Sequence, residues 1–246
     1  MRTRNSGSLG RRVRRPEQAE PVARKPSTKE LLINVGEQLF GRFGIDAVSL
    51  REIAAAAGQT SSNAVQYHFK DKRGLVLAIL NERLHRHEVQ RRERLQTLQD
   101  AGSYGPRDLL LVLWESVMSI RGPDGQYSFC RFVLQYLLQP QGPDHPTGDQ
   151  AAYRRSRRVP EAFASLSRWN RLLRGCYPDL TATQFDYRLK AVAIMFLATV
   201  VEHDNAQLVV HPGTHDDFDL EPIMDLAIAA LRAPVMQRPA ALRQPR

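Results

Sequence analysis

The sequence predicts an all-α protein with a small N-terminal helical unit and a larger C-terminal one. Three observations carry that prediction. Apolar residues recur every three to four positions from Ser27 onward, the spacing of one helix face. No stretch keeps the apolar–polar alternation of a half-buried strand, and Gln207–His211 is too short and isolated to count as one. Clusters of Gly, Pro, Ser and Asp, such as 101–106 and 122–125, punctuate the helical texture at intervals suited to helix connections.

The elements follow in order. Leu32, Val35, Leu39 and Phe43 define a first helix that stops at Gly44. Ser27-Thr-Lys-Glu30 opens it and Ser49-Leu-Arg-Glu52 opens the second; each is a capping box, in which Ser and Glu satisfy each other's orphan amides. The second helix, Leu50 to Ala57, is short and alanine-rich and closes at Gly58. A third spans about Ser61 to Phe69. The fourth begins near Lys72 and is expected to continue past Leu84 to about Leu98. Beyond the break come Asp108–Ile120, Tyr127–Gln139, a segment over 150–174 interrupted by Pro160, the most apolar helix over 182–204, and a last one over 216–233.

Composition excludes several classes. The 246 residues include 35 Lys and Arg against 26 Asp and Glu, a formal charge of +9. Residues 1–27 hold eight bases and two acids, residues 235–246 three bases and no acid, so residues 28–234 balance at 24 of each. The basicity belongs to the ends, which read as a disordered arm and a disordered tail. The longest apolar run, Ala191 to Ala198, is far short of the ~20 residues that span a bilayer. The Arg-rich start leads into no apolar signal segment, and Cys130 and Cys176 cannot build a disulfide framework. A cytoplasmic protein is expected, with neither a membrane partner nor a cofactor. Cys130, between Phe129 and Phe132, reads as an inert core residue.

Two short helices joined by a tight glycine turn have the layout of a helix-turn-helix. In the second of them Val65 and Phe69, four apart, face the core. Ser61, Ser62, Asn63, Gln66 and Tyr67 are left mostly outside, an inventory suited to base edges and phosphates. Asn63 and Gln66 are the candidates for sequence reading, because their amides can bond adenine N6 and N7 together.

From about Thr28 to Leu80 the residues resemble the TetR family of bacterial transcriptional regulators. The resemblance runs through Phe43-Gly44, Val48-Ser49-Leu50-Arg-Glu-Ile-Ala-Ala-Ala-Ala-Gly58 and Tyr67-His68-Phe69-Lys70-Asp71-Lys72-Arg73-Gly74-Leu75. Between Gly58 and the His-Phe pair this chain is one residue longer than the family's commonest spacing, which moves Tyr67 one place later. The resemblance implies a helix-turn-helix DNA-binding unit over 28–75 and a helical effector-binding and dimerisation domain over 76–234. It further implies a homodimer on a near-palindromic operator, most simply a repressor released by a small molecule, and not an enzyme. Ser49, Thr60, Tyr67, His68 and Lys72 stand where the family contacts phosphates. Residues 28–75 carry six bases and five acids, so such a unit binds DNA as a dimer or borrows charge, and the nearest source is the arm.

Fourteen of the 18 aromatic residues lie in 104–218. Trp114 and Met118 share one helix face, and Phe129, Phe132 and Tyr136 another; Phe163 and Trp169 follow. Such stripes are ordinarily core, but the resemblance implies an effector cavity among these helices, and their aromatic content suits an apolar or aromatic ligand. Glu115, Arg131 and His203 are the candidate polar anchors. The helix over 182–204 has two apolar stripes: Phe185, Leu189, Val192, Phe196 and Val200 on one side, and Ile194, Leu197 and Val201 on the other. Leu220, Met224, Ala227 and Leu231 lie beside Ile223, Leu226 and Ala230 in the last helix. Helices apolar on two faces need two partners. The first stripe of each helix is taken as the dimer interface, with a fully buried central helix as the competing account.

Two other classes remain open. His203, Asp204, His211, His215, Asp216 and Asp217 offer metal-type ligands for a metal-dependent enzyme, although their spacing matches no metal motif and loop solvation is the simpler reading. A helical adaptor using its apolar helices for a partner protein is the third. Arg154–Arg158 is read as a solvated basic face.

Overall fold

A computed structural model describes residues 26–122, 124–139, 164–210 and 218–234. Among them are ten helices and no strand: α1 (Thr28–Phe43), α2 (Leu50–Ala56), α3 (Asn63–Phe69), α4 (Lys72–Arg86), α5 (Glu88–Asp100), α6 (Pro106–Met118), α7 (Ser128–Leu138), α8 (Ala164–Gly175), α9 (Ala182–Val210) and α10 (Glu221–Arg232). The arm, the tail, Pro160, Phe163 and Arg154–Arg158 lie outside the described residues.

Both capping boxes form. Ser27 N donates to Glu30 Oε2 at 2.7 Å while Glu30 N donates to Ser27 Oγ at 3.3 Å. Ser49 N and Glu52 Oε2 are likewise 2.7 Å apart, with Glu52 N returning to Ser49 Oγ at 3.2 Å. Gly58 closes α2 at φ +71°, a conformation that costs a residue with a Cβ.

The buried face of α1 differs from the predicted one. Leu32, Ile33, Gly36, Glu37, Phe40 and Gly41 are buried, whereas Phe43 is 56% exposed. The reason is that α1 is held between α4 and α7, so its contact surface is wider and turned relative to a single stripe. A Cβ on Gly41 would stand 3.1 Å from the backbone N of Phe132, so the missing side chain brings α1 and α7 close together.

The long fourth helix is divided at His87. The Arg91 guanidinium donates to Leu84 O at 2.6 Å, taking the carbonyl that a continuous helix would offer to the Glu88 N–H. Arg91 is 2% exposed and also reaches Ser165 Oγ and Ser116 Oγ, both at 3.0 Å, and Glu88 Oε2 at 3.1 Å. Ser165 returns two bonds to Glu88, from N at 2.9 Å and from Oγ at 2.5 Å. Burying a guanidinium is tolerable when its donors are matched in this way, and the network ties α5, α6 and α8 to the break.

The core is one continuous apolar cluster from α1 to α10. Trp114 of α6 stacks on Phe196 of α9 at 4.0 Å between ring centroids, nearly parallel. Phe129 and Phe132 of α7 lie 6.1 Å apart, and Phe132 is 6.4 Å from Phe40 of α1. Cys130 is fully buried among them, and burial pushes its thiol well above the usual range, which keeps it an unreactive core residue. No helix of the described residues is long and apolar enough to cross a membrane.

The stripe assignment on the last two long helices is corrected. Phe185, Val192, Phe196, Val200, Met224, Ala227 and Leu231 are at most 2% exposed within one chain, so they are intramolecular core and unavailable to a second copy. Leu189 is half-buried beside them, and Leu220 packs against the same core. The physical reason is that α9 and α10 must first cover α6 and α7, and their bulkiest stripes do so. The opposite side is open. Tyr187, Ala191, Ala198 and Leu208 of α9 are exposed, with Ile194 and Val201 half-buried on the same line, and Leu226, Ala229 and Ala230 of α10 are exposed as well. Leu197, assigned to that second stripe, is 3% exposed and belongs to the core, as does Ile223 at 4%.

Candidate nucleic-acid interface

The second helix of the pair is set by what it buries. Val65 is fully buried and Phe69 6% exposed, which anchors α3 on α4 and α1 and turns the remaining side chains outward. Thr60, Ser61, Asn63, Gln66, Tyr67 and His68 are all exposed, and Ser62 is half-buried. Tyr67 is 85% exposed and rests against the His68 ring at 5.1 Å, edge to face. An aromatic side chain that leaves so much of itself in water forfeits burial energy, as expected of a contact residue. The Asn63 and Gln66 amides, three apart, share one side of the helix.

The turn before α3 is closed by local hydrogen bonds. Ala57 caps α2, Gln59 N bonds Ala54 O at 2.9 Å and Gln59 Nε2 bonds Ala57 O at 3.2 Å. Ser61 Oγ accepts from Asn63 N at 3.1 Å, which occupies that hydroxyl's acceptor side at the start of α3. After α3, Lys70 sits at φ +68°, and Asp71 caps α4 by accepting from Gly74 N at 2.7 Å.

Ser49 and the half-buried Lys72 both hold structural positions. Ser49 is exposed, and its Oγ serves as the cap of α2. The Glu52 carboxyl is held below its ordinary value by its bonds to Ser49, side chain first and then backbone. Lys72 Nζ donates to Ile45 O at 3.0 Å and Asp46 O at 3.1 Å, so it ties the α1–α2 turn to the start of α4. An ammonium has three donors, which leaves one for a phosphate oxygen. The sequence reading missed this tie, since nothing local links residues 26 and 27 apart.

Among the described residues, those expected around an effector are spread between the core and the surface; Phe163 lies outside them. Trp114, Phe129 and Phe132 are used in core stacking, and Trp169 is 6% exposed with its indole N–H on Leu109 O at 2.6 Å. Tyr136 is buried and Met118 half-buried. Glu115 faces outward and pairs with Arg94 at the surface. Arg131 bonds Asn205 Oδ1 at 3.0 Å and lies 3.7 Å from Asp204, while His203 packs edge-on to Phe218 at 5.5 Å. Two clefts of about 350 and 440 Å³ open elsewhere, around Tyr177, Arg188 and Arg232 and around Tyr104 and Arg171. They meet at Cys176, and none of the expected effector residues lines either one.

Of the metal-type cluster, Asp204 is buried and accepts from Tyr127 N at 2.8 Å; burial raises its carboxyl above the ordinary value. His211, His215, Asp216 and Asp217 lie outside the described residues. Among the described residues no three His, Cys, Asp or Glu side chains converge as a metal site would require.

A capped short helix, a glycine turn and a second short helix with an exposed polar face, buttressed by α1 and α4, define a helix-turn-helix DNA-binding unit. Residues 32–79 match the family model described as bacterial regulatory proteins, tetR family. Residues 32–79 therefore form a TetR-family helix-turn-helix, the DNA-binding unit of a transcriptional regulator. The match covers about a fifth of the chain. No curated protein matches the sequence.

Proposed function

We propose that this protein is a ligand-responsive repressor that binds a near-palindromic operator as a homodimer and leaves it when a small molecule binds. The observation that carries the reading is the outward polar face of α3 on a frame capped at both of its joints. Asn63 and Gln66 read base edges; Ser49, Thr60, Ser61, Ser62, Tyr67, His68 and Lys72 hold the backbone. The unit is a binding module and performs no catalysis.

The dimer face is the open side of α9 and α10. Tyr187, Ala191, Ile194, Ala198 and Val201 follow a spacing of three and four, Leu208 lies seven residues further on, and α10 adds the exposed Leu226 and Ala230. Small residues at 191, 198, 229 and 230 let helices of a second copy approach closely, and a two-fold axis through this face joins identical patches. Two copies then present two α3 helices to successive major grooves. The effector acts by preferring a dimer whose α3 helices are wrongly spaced for DNA, and its differential affinity sets how much operator is freed.

Selection of bound sequences from a random DNA pool tests this. The expected product is an inverted repeat with half-site centres about one helical turn, roughly 34–36 Å, apart. Failure to enrich any sequence, at a salt concentration where the protein still binds DNA, would overturn the assignment.

A further inference from the structure

The start of α7 is where two buried carboxylates from different parts of the chain converge on consecutive residues. Tyr127 gives its backbone N–H to Asp204 Oδ2 of α9 at 2.8 Å. Ser128, the next residue, donates its Oγ to Glu37 Oε1 of α1 at 2.5 Å. The other Glu37 oxygen accepts from Arg83 Nε of α4 at 2.5 Å, and Arg83 Nη2 reaches Asn34 Oδ1 at 2.7 Å. One buried run of polar contacts thus passes from α9 through α7 to α1 and α4. Asp204, Tyr127, Ser128, Glu37 and Arg83 are each less than a tenth exposed. None of them lies on the reading face of α3.

Its ends matter. Asp204 continues the buried line Phe196 and Val200 on α9, on the side away from the open stripe of Ala191, Ala198 and Val201. At the other end, Glu37 and Arg83 belong to the two helices against which α3 is packed. Apolar packing such as Phe40 on Phe132 is non-directional and tolerates small sliding. Desolvated carboxylates do not: each keeps a guanidinium nearby, Arg83 for Glu37 and Arg131 for Asp204, but a shift that breaks its bond to α7 leaves a buried oxygen short of a donor.

We propose that this joint fixes the angle of the helix-turn-helix on α9 and so, in the dimer, the distance between the two α3 helices. Ser128, Glu37 and Asp204 are positioning residues for operator spacing. The inference rests on the dimer reading above. Loosening the joint keeps each half-site readable, because α3 keeps its own frame, but blurs the separation the dimer demands.

The test uses the full-length protein and duplexes built from its own selected site, with one base pair added to or removed from the spacer. The wild type is expected to bind the selected spacing about tenfold better than either neighbour. Ser128→Ala and Asp204→Ala should reduce that preference to about threefold or less, while discrimination against altered half-site bases is unchanged. Asp204→Asn keeps an oxygen acceptor for the Tyr127 N–H and should restore most of it. Variants that fold cooperatively yet keep the full spacing preference overturn the proposal; so does an equal loss at every spacing, which is the mark of a purely structural role. Should Asp204→Ala melt below the assay temperature, Ser128→Ala decides by the same criteria. A wild type that selects a single unpaired half-site overturns the dimer reading, and the joint's role in spacing with it.

Discussion

The helix-turn-helix and the body of this protein use the same kinds of polar contact at very different reach. Ser27 with Glu30, Ser49 with Glu52 and Asp71 with Gly74 each close over three residues, at the surface. Glu88 with Ser165 and Asp204 with Tyr127 close over 77 residues, and Glu37 with Ser128 over 91, all buried. A local cap stabilises its own helix wherever that helix goes. A buried long-range bond dictates where one helix sits against another. The reading face is therefore self-contained, whereas its placement is imposed by the body.

Breaking a long-range contact should cost the most. Glu37→Ala leaves Arg83 and Ser128 buried without their acceptor and should lower stability by about 3–5 kcal/mol, measured from the denaturant midpoint. A loss below about 1 kcal/mol would remove the contrast between the two regions, since that is the worth of a surface cap. Ala198→Glu tests the open face of α9. Like charges facing each other across a two-fold axis cost several kcal/mol, so dimer dissociation should strengthen at least about thirtyfold by sedimentation while helix content is unchanged. An undisturbed dimer would put the interface elsewhere.

Local contacts should yield smaller, additive effects. Ser49→Ala should cost about 1 kcal/mol and should add to Glu37→Ala without coupling, because the two sites share no partner. The smallest effect is Glu52's. Its folded value is lowered by Ser49, so its contribution is present above the ordinary carboxylate range and lost as pH falls through the lowered value. The difference in melting temperature between wild type and Glu52→Gln should therefore shrink between pH 6 and pH 3. A gap that widens on acidification would contradict the sign.

That division also explains what was legible in the sequence. Capping boxes, the Gly58 stop and the Val65–Phe69 pair are written within a few residues of one another, so α1 to α3 and the outward set Asn63, Gln66 and Tyr67 could be read directly. The split at His87 could not, because it depends on Arg91 meeting Ser116 and Ser165 from other helices. The same holds for α9: periodicity revealed two stripes but not which one the chain itself covers. The bulkier stripe, Phe185 to Val200, is the one buried intramolecularly. Lys72 was legible as a cation at a helix start, while its bonds to Ile45 O and Asp46 O were not.

The most direct test of the central claim is the ratio of affinities for the selected duplex and a scrambled one, compared between wild type and an Asn63→Ala, Gln66→Ala double variant. Both side chains are exposed, so folding should be little affected. The ratio should fall by at least about tenfold, with binding to the scrambled duplex unchanged, as expected when base contacts are lost and phosphate contacts kept. A ratio equal to that of the wild type would contradict the assignment of α3 as the element that reads sequence.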